Sequence, residues 1–179
     1  MIARAVFLDR DGVLLRPVIE NNKPRPPYNR PEFLGLRGGV TEALALYRGL
    51  GFLLILVSNQ PDLAYGKITR EDWDWIHSHI VRLQLDDYFI CFHGRDESCD
   101  CKKPKPGMLL AAADKWGLDL PRSFIIGDTG SDTGVGRTVG CKTILVRTSY
   151  NKDVEADFYA DDLYGAVKLI QTLTEGGER

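Results

Sequence analysis

The 179-residue chain has no apolar stretch able to cross a bilayer. Its longest uncharged run, residues 49–61, is 13 residues long and includes Ser58, Asn59 and Gln60, whereas a span needs about 20 apolar residues. It has little net charge: 23 Lys and Arg against 25 Asp and Glu leave −2. That balance gives no general pull toward nucleic acid or anionic membranes. Cysteine is scarce, with four in the chain, which points to metal binding or burial before a disulfide framework. There is no internal repeat and no low-complexity tract. Residues 1–8 reach acidic Asp9 before a signal-peptide core could form. The expectation is a cytoplasmic monomer with neither nucleic-acid nor membrane partner.

What is present is ordinary for a globule, with 44% hydrophobic and 27% charged residues. The length fits one domain over residues 1–179. Apolar runs at 3–8, 52–57, 88–92, 124–126 and 143–146 read as buried strands of a parallel sheet. Helical periodicity falls between them, at 40–50, 69–85 with Thr69 as N-cap, 107–116, 132–139 and about 162–173, the last fraying into Glu175, Gly176 and Gly177. This alternation predicts an α/β fold, a three-layer α/β/α open parallel sheet. Residues 16–39, with Pro17, Pro24, Pro26, Pro27 and Pro31, fit no element, and a segment that long is a candidate flap.

Open parallel sheets bind ligands at the carboxyl ends of their strands. Asp9, Arg10, Asp11 and Gly12 follow the first run, Ser58, Asn59 and Gln60 the second, and residues 127–132 the fourth, with Asp128 and Asp132. Four carboxylates in one crevice repel one another unless protonated or neutralised by a cation. Hard oxygen ligands favour Mg²⁺, which commonly bridges carboxylate and phosphate. A second cluster, Cys91, His93, Cys99 and Cys101, matches the Cys₃His donor set of a closed structural Zn²⁺ site. It would staple the loop 91–101 just before Lys102 and Lys103. Cys141 reads as a buried thiol, and His77 and His79 as helix-packing or surface residues.

In order, Asp9-x-Asp11-Gly12-Val13, Ser58-Asn59-Gln60, Lys103-Pro104 and Gly127-Asp128-x-x-x-Asp132 resemble the four motifs of the haloacid dehalogenase superfamily of phosphatases. The resemblance covers roughly residues 3–173. It implies that Asp9 is the nucleophile and Asp11 the general acid and base. Ser58 and Lys103 would hold the transferring phosphoryl, and Arg10, Gly12, Asn59, Gln60 and Lys102 are the further expected phosphate contacts. Mg²⁺ would sit on Asp9, Asp128 and the Asp11 backbone carbonyl, with Asp132 binding or orienting. A receiver domain shares strand-end Asp residues, Mg²⁺ and a Lys, but lacks the second acid two residues after the first.

The zinc loop followed by Lys102-Lys103-Pro104 is similar to two capless branches of the superfamily, one acting on a heptose bisphosphate and one on histidinol phosphate. Residues 106–109, 64–67 and 143–148 lean to the first branch, although Tyr65, Lys102 and Thr129 depart from its usual Arg, Arg and Lys. The flap adds Arg16, Lys23, Arg25, Arg30 and Arg37 against Glu20 and Glu32, a balance that suits a second phosphate. The implied function is removal of the 7-phosphate of a heptose 1,7-bisphosphate or a related sugar bisphosphate. Histidinol phosphate is the alternative substrate. A non-catalytic sugar-phosphate-binding module is the alternative class, against which both Asp9 and Asp11 speak.

Overall fold

A computed structural model describes residues 2–175. Five of the expected strands appear as β1 (Ala5–Leu8), β4 (Leu53–Asn59), β5 (Asp87–Cys91), β6 (Phe124–Gly127) and β7 (Lys142–Val146). The helices are α1 (Val40–Gly49), α2 (Arg70–Val81), α3 (Gly107–Trp116), α4 (Gly130–Val139) and α5 (Leu163–Glu175). Helix α2 begins where expected, because the Thr69 hydroxyl accepts from the Asp72 amide at 3.1 Å. It ends earlier than the periodicity predicts: Gln84 takes a left-handed φ of 53° and turns the chain toward β5. Gly176 and Gly177, expected to fray, lie outside the described residues.

Six strands form one parallel sheet in the order β5-β4-β1-β6-β7-β8, where β8 is Phe158–Ala160. Strand residues alternate between two buried faces. Val6, Leu8, Leu54 and Leu56 face Val40, Leu44 and Tyr47 of α1, Trp73, Ile76 and Ile80 of α2, and Val167 and Ile170 of α5. Ala5, Phe7, Ile55, Val57 and Ile125 face Met108, Leu109 and Ala112 of α3 and Val135 of α4. Strands buried on both faces read as continuous apolar runs, which is why they were visible in the sequence. Each fully buried Leu, Ile or Phe contributes about 1.5–3 kcal/mol, so Leu56→Ala would cost about 2–5 kcal/mol.

The segment expected to lack regular structure is partly ordered. It holds an antiparallel hairpin of β2 (Val18–Glu20) and β3 (Lys23–Arg25) and a 3₁₀ turn at Arg30–Glu32. Asn21 and Asn22, both at positive φ, make the two-residue turn, the geometry that suits a tight hairpin. Among the described residues no helix is long and apolar enough to cross a membrane.

Candidate active site

Strand order sets the carboxyl ends of β4, β1 and β6 side by side. The chain fills the sheet on one side of β1 and then crosses to the other, so this is the switch point where an open sheet forms a crevice. Asp9, Asp11, Ser58, Asn59, Lys103 and Asp128 line it with Thr129, Ser131 and the hairpin residues Pro24, Arg25 and Pro26.

The centre of the site is the Lys103 ammonium. It donates to Asp9 Oδ1 at 2.9 Å, Asp132 Oδ1 at 2.5 Å and the Val57 carbonyl at 2.6 Å, which uses all three of its N–H groups. Its side chain is 1% exposed. Burial works against its charge, but Asp132 and Asp9 outweigh that and raise its pKa. Asn59 fixes the backbone of the same residue, accepting from the Lys103 amide at 2.9 Å and donating to its carbonyl at 3.0 Å.

Asp132 is fully committed. Its Oδ1 takes Lys103, and its Oδ2 accepts from the Thr129 amide at 3.1 Å and hydroxyl at 2.6 Å. This capping box starts α4 and ties the Asp132 carboxylate to both Lys103 and the helix start. Gly127 makes the approach possible, since a Cβ there would lie 2.1 Å from Asp132 Cβ.

Asp128 differs. Its Oδ2 accepts from the Tyr150 phenol at 2.5 Å, while its Oδ1 is buried with no partner. Burial, then the neighbouring Asp9 and Asp132 charges, push its pKa up to about 8. Burial likewise raises Asp9 to about 6, with Lys103 opposing. Asp9, Asp128 and Asp132 each bring one oxygen within 4.8 Å of the others. Against the four carboxylates Asp9, Asp11, Asp128 and Asp132, the buried cations are Lys103 and Arg10. With all four ionised, two negative charges are left over, and with the orphaned oxygen they fit a hard divalent cation that would displace the Asp128 proton.

Several expected phosphate contacts have other partners. Arg10 is 1% exposed and does not line the crevice. It pairs with the neighbouring Asp11, Nε to Oδ2 at 3.0 Å and Nη2 to Oδ1 at 3.3 Å. Gln60 donates to Asp11 Oδ2 at 2.8 Å and to Ser58 Oγ at 3.0 Å, and is itself held by the Trp73 indole at 3.3 Å. These two residues fix the Asp11 carboxylate. The Gly12 amide donates to the Leu15 carbonyl at 2.9 Å. Its lack of a side chain is what matters: at φ +90°, a Cβ would come within 1.9 Å of Asp128 Oδ2. Lys102 reaches the His93 carbonyl at 3.5 Å and does not line the crevice.

The Cys/His cluster also gathers. Cys91 Sγ lies 3.4 Å from His93 Nδ1 and 3.8 Å from Cys99 Sγ, and Cys101 Sγ lies 3.2 Å from His93 Nδ1. A tetrahedron with about 2.3 Å to sulfur and 2.0 Å to nitrogen has edges of about 3.5–3.8 Å, so the donor set fits Zn²⁺. Burial and the adjacent thiols push Cys101 up to about 12, a crowding that a cation would relieve. Cys141 is buried apart from this cluster. His77 stacks on Trp73 at 4.6 Å, and His79 packs on Phe33 at 4.4 Å.

The flap presents less free positive charge than its composition implies. Arg25 lines the crevice, but pairs with Glu20 at 3.0 Å and Glu32 at 2.7 Å. Arg30 pairs with Glu71 and Asp72 of α2, and Arg37 donates to the Gly12 and Asp161 carbonyls. Tyr150 and Asn151 were missed as site residues. They lie just past β7, the strand expected at 143–146, where the strand-end rule points to them.

A family model described as HAD-hydrolase-like matches residues 100–166. The D-glycero-beta-D-manno-heptose-1,7-bisphosphate 7-phosphatase of Vibrio cholerae is 35% identical over 165 residues, covering 83% of each chain. The chain belongs to this family of HAD-like phosphatases. The family members from Pasteurella multocida and Escherichia coli K12 are 32% and 33% identical, covering 95% and 93% of this chain and 98% and 95% of theirs. A solved family structure, D,D-heptose 1,7-bisphosphate phosphatase from B. bronchiseptica with magnesium and phosphate, superposes with a TM-score of 0.80 at 27% identity, covering 96% of this chain and 99% of that one. The family thus agrees with the superfamily resemblance and with the sheet, and the chain is an enzyme of the phosphatase class.

Proposed function

We propose that the chain removes the 7-phosphate of D-glycero-D-manno-heptose 1,7-bisphosphate, with Mg²⁺ at the crevice and Zn²⁺ in the 91–101 loop. The observation that carries the chemistry is Asp9, held at one oxygen by Lys103, beside the unpartnered Asp128 Oδ1. The names of the relatives carry the substrate. On this reading the whole chain works as one domain, a cytoplasmic monomer whose partner is the sugar phosphate.

Asp9 Oδ2 attacks phosphorus while the bond from phosphorus to the sugar oxygen breaks. Asp11 gives its proton to that leaving oxygen. A water then attacks the aspartyl phosphate, Asp11 takes the water's proton, and inorganic phosphate leaves with Asp9 restored. Arg10 and Gln60 hold Asp11 in one orientation throughout. Lys103 keeps Asp9 ionised and offsets the repulsion between carboxylate and phosphate. Asp9 through its non-attacking oxygen, Asp128 Oδ1 and the Asp11 carbonyl would hold Mg²⁺, which when bound supplies positive charge at the transferring phosphoryl. Asp132 orients Lys103, and Ser58 and Asn59 border the phosphoryl position. The zinc loop is structural: its four donors close the coordination shell and leave no place for substrate.

Pairing of Arg25 and Arg30 favours a second reading, since it weakens the electrostatic case against an ammonium-bearing substrate such as histidinol phosphate. Phosphate release from both substrates at equal concentration decides between them. The proposal expects kcat/KM at least about 10²-fold higher on the heptose bisphosphate, the range a well-paired second phosphate can supply. A higher kcat/KM on histidinol phosphate would overturn it.

A further inference from the structure

One contact to the central carboxylates comes from outside the four motifs. The Tyr150 phenol donates to Asp128 Oδ2 at 2.5 Å. The segment that carries Tyr150 is firmly built. Asn151 is 4% exposed, donates to the carbonyls of Asp128 and Val146 at 2.8 Å each, and accepts from the Thr148 amide at 2.9 Å. The end of β7 is thereby tied to the end of β6, and the phenol is delivered to one oxygen of Asp128. The same oxygen is walled by Gly12, where the place of a Cβ lies 1.9 Å away. Thr129, the neighbouring hydroxyl, is turned to Asp132 and Ser131. Oδ1 alone is left without a partner.

We propose that Tyr150 is a positioning residue that holds Asp128 as a one-oxygen ligand, so that the site takes Mg²⁺ and disfavours larger divalent cations. The inference rests on the reading that Asp9 and Asp128 hold the metal. Its physical basis is coordination chemistry. Mg²⁺ needs near-octahedral geometry and takes carboxylates through one oxygen, whereas Ca²⁺ accepts six to eight oxygens and two-oxygen carboxylates. A carboxylate with one oxygen held by a phenol presents the other alone. With nothing on Oδ2, it can turn about its Cβ–Cγ bond and offer both. Groups that hydrogen-bond metal ligands typically change metal affinity 10–100-fold when removed.

The test is direct metal binding, without substrate, by titration calorimetry of Mg²⁺ and Ca²⁺ into wild type, Tyr150→Phe and Asp128→Asn. Each protein is made metal-free at the crevice with its zinc retained. The expected result is Mg²⁺ affinity at least about 10-fold weaker in Tyr150→Phe, with Ca²⁺ little changed, so that the ratio of Ca²⁺ to Mg²⁺ affinity rises about 10-fold. The melting temperature without added metal should stay within about 3 °C of wild type, the effect of a surface-adjacent hydroxyl loss. An unchanged affinity ratio in Tyr150→Phe overturns the inference. So does an equal loss of both ions accompanied by a large fall in melting temperature, which marks a structural role. If wild type binds no Mg²⁺, or Asp128→Asn binds it as well as wild type, the metal reading itself falls and this inference with it.

Discussion

Removing Mg²⁺ from the crevice and raising the pH should destabilise the protein, against the usual tendency of carboxylate-rich folds. Asp128 is pushed from 3.8 to about 8, first by burial and then by Asp9 and Asp132. A carboxyl with a raised folded-state pKa binds its proton more tightly folded than unfolded. Stability is therefore greatest below the unfolded pKa and falls as pH rises toward the folded one. Between pH 5.5 and 8.5 the folded group stays largely protonated up to about 8 while the unfolded one is ionised. At about 1.4 kcal/mol per unit, that window costs about 3 kcal/mol. For a chain of this size, about 2–4 °C per kcal/mol makes a fall in melting temperature of about 6–12 °C. Asp9, raised to about 6, adds to the loss at the acid end of the window. The assay is thermal melting across pH in buffer stripped of divalent ions by resin rather than by a chelator that would also take the zinc. Asp128→Asn serves as the reference, because zinc–thiolate binding has its own pH dependence of opposite sign. The wild-type fall relative to Asp128→Asn should exceed about 5 °C, and millimolar Mg²⁺ should abolish most of it. A wild-type curve that runs parallel to that of Asp128→Asn, or above it at high pH, refutes the reasoning.

Other outcomes follow from the same geometry. Asp9→Asn should release no phosphate yet melt higher than wild type in Mg²⁺-free buffer at pH 8, since one buried charge is gone; phosphate assay and calorimetry check both. Gly12→Ala should cut kcat/KM at least about 10²-fold, because the new Cβ meets Asp128 Oδ2 and φ +90° is strained for Ala. Near-normal turnover would show that Asp128 is not held there. Cys99→Ser should lose most of the zinc, lower the melting temperature and raise KM through the loop that carries Lys103; metal analysis with kinetics reads all three. Lys103→Met should cost about 3–5 kcal/mol by leaving Asp9 and Asp132 unpaired in the interior, measured by urea unfolding without Mg²⁺.

The sheet could be read from the sequence because β1, β4, β6 and β7 are buried on both faces and are therefore mostly apolar along their length. Thr69 likewise marked a helix start through local chemistry that needs no tertiary context. β8 escaped because Phe158–Ala160 is three residues long, too short for any periodicity. The β2–β3 hairpin escaped because Pro24 sits in it, and a two-stranded ribbon tolerates a proline that a central strand does not. The strand-end rule brought Asp9, Asp11, Ser58 and Asp128 to one crevice, and the family resemblance added Lys103, but neither could say which way a side chain points. Arg10 and Gln60 turn back to hold Asp11, and Gly12 serves by its missing side chain. Charge counting on the flap was incomplete for a related reason: the partners of Arg30 lie on α2, about forty residues away.

The central claim is that Asp9 attacks phosphorus. It is tested most directly by intact mass and peptide mapping of Asp11→Asn after mixing with the heptose bisphosphate and Mg²⁺, since this variant lacks the base that activates water for the second step. The account predicts a single added phosphoryl group located on Asp9, absent in the Asp9→Asn/Asp11→Asn double variant. Phosphate released by Asp11→Asn at the wild-type rate with no adduct at any time, or an adduct on a residue other than Asp9, would contradict it.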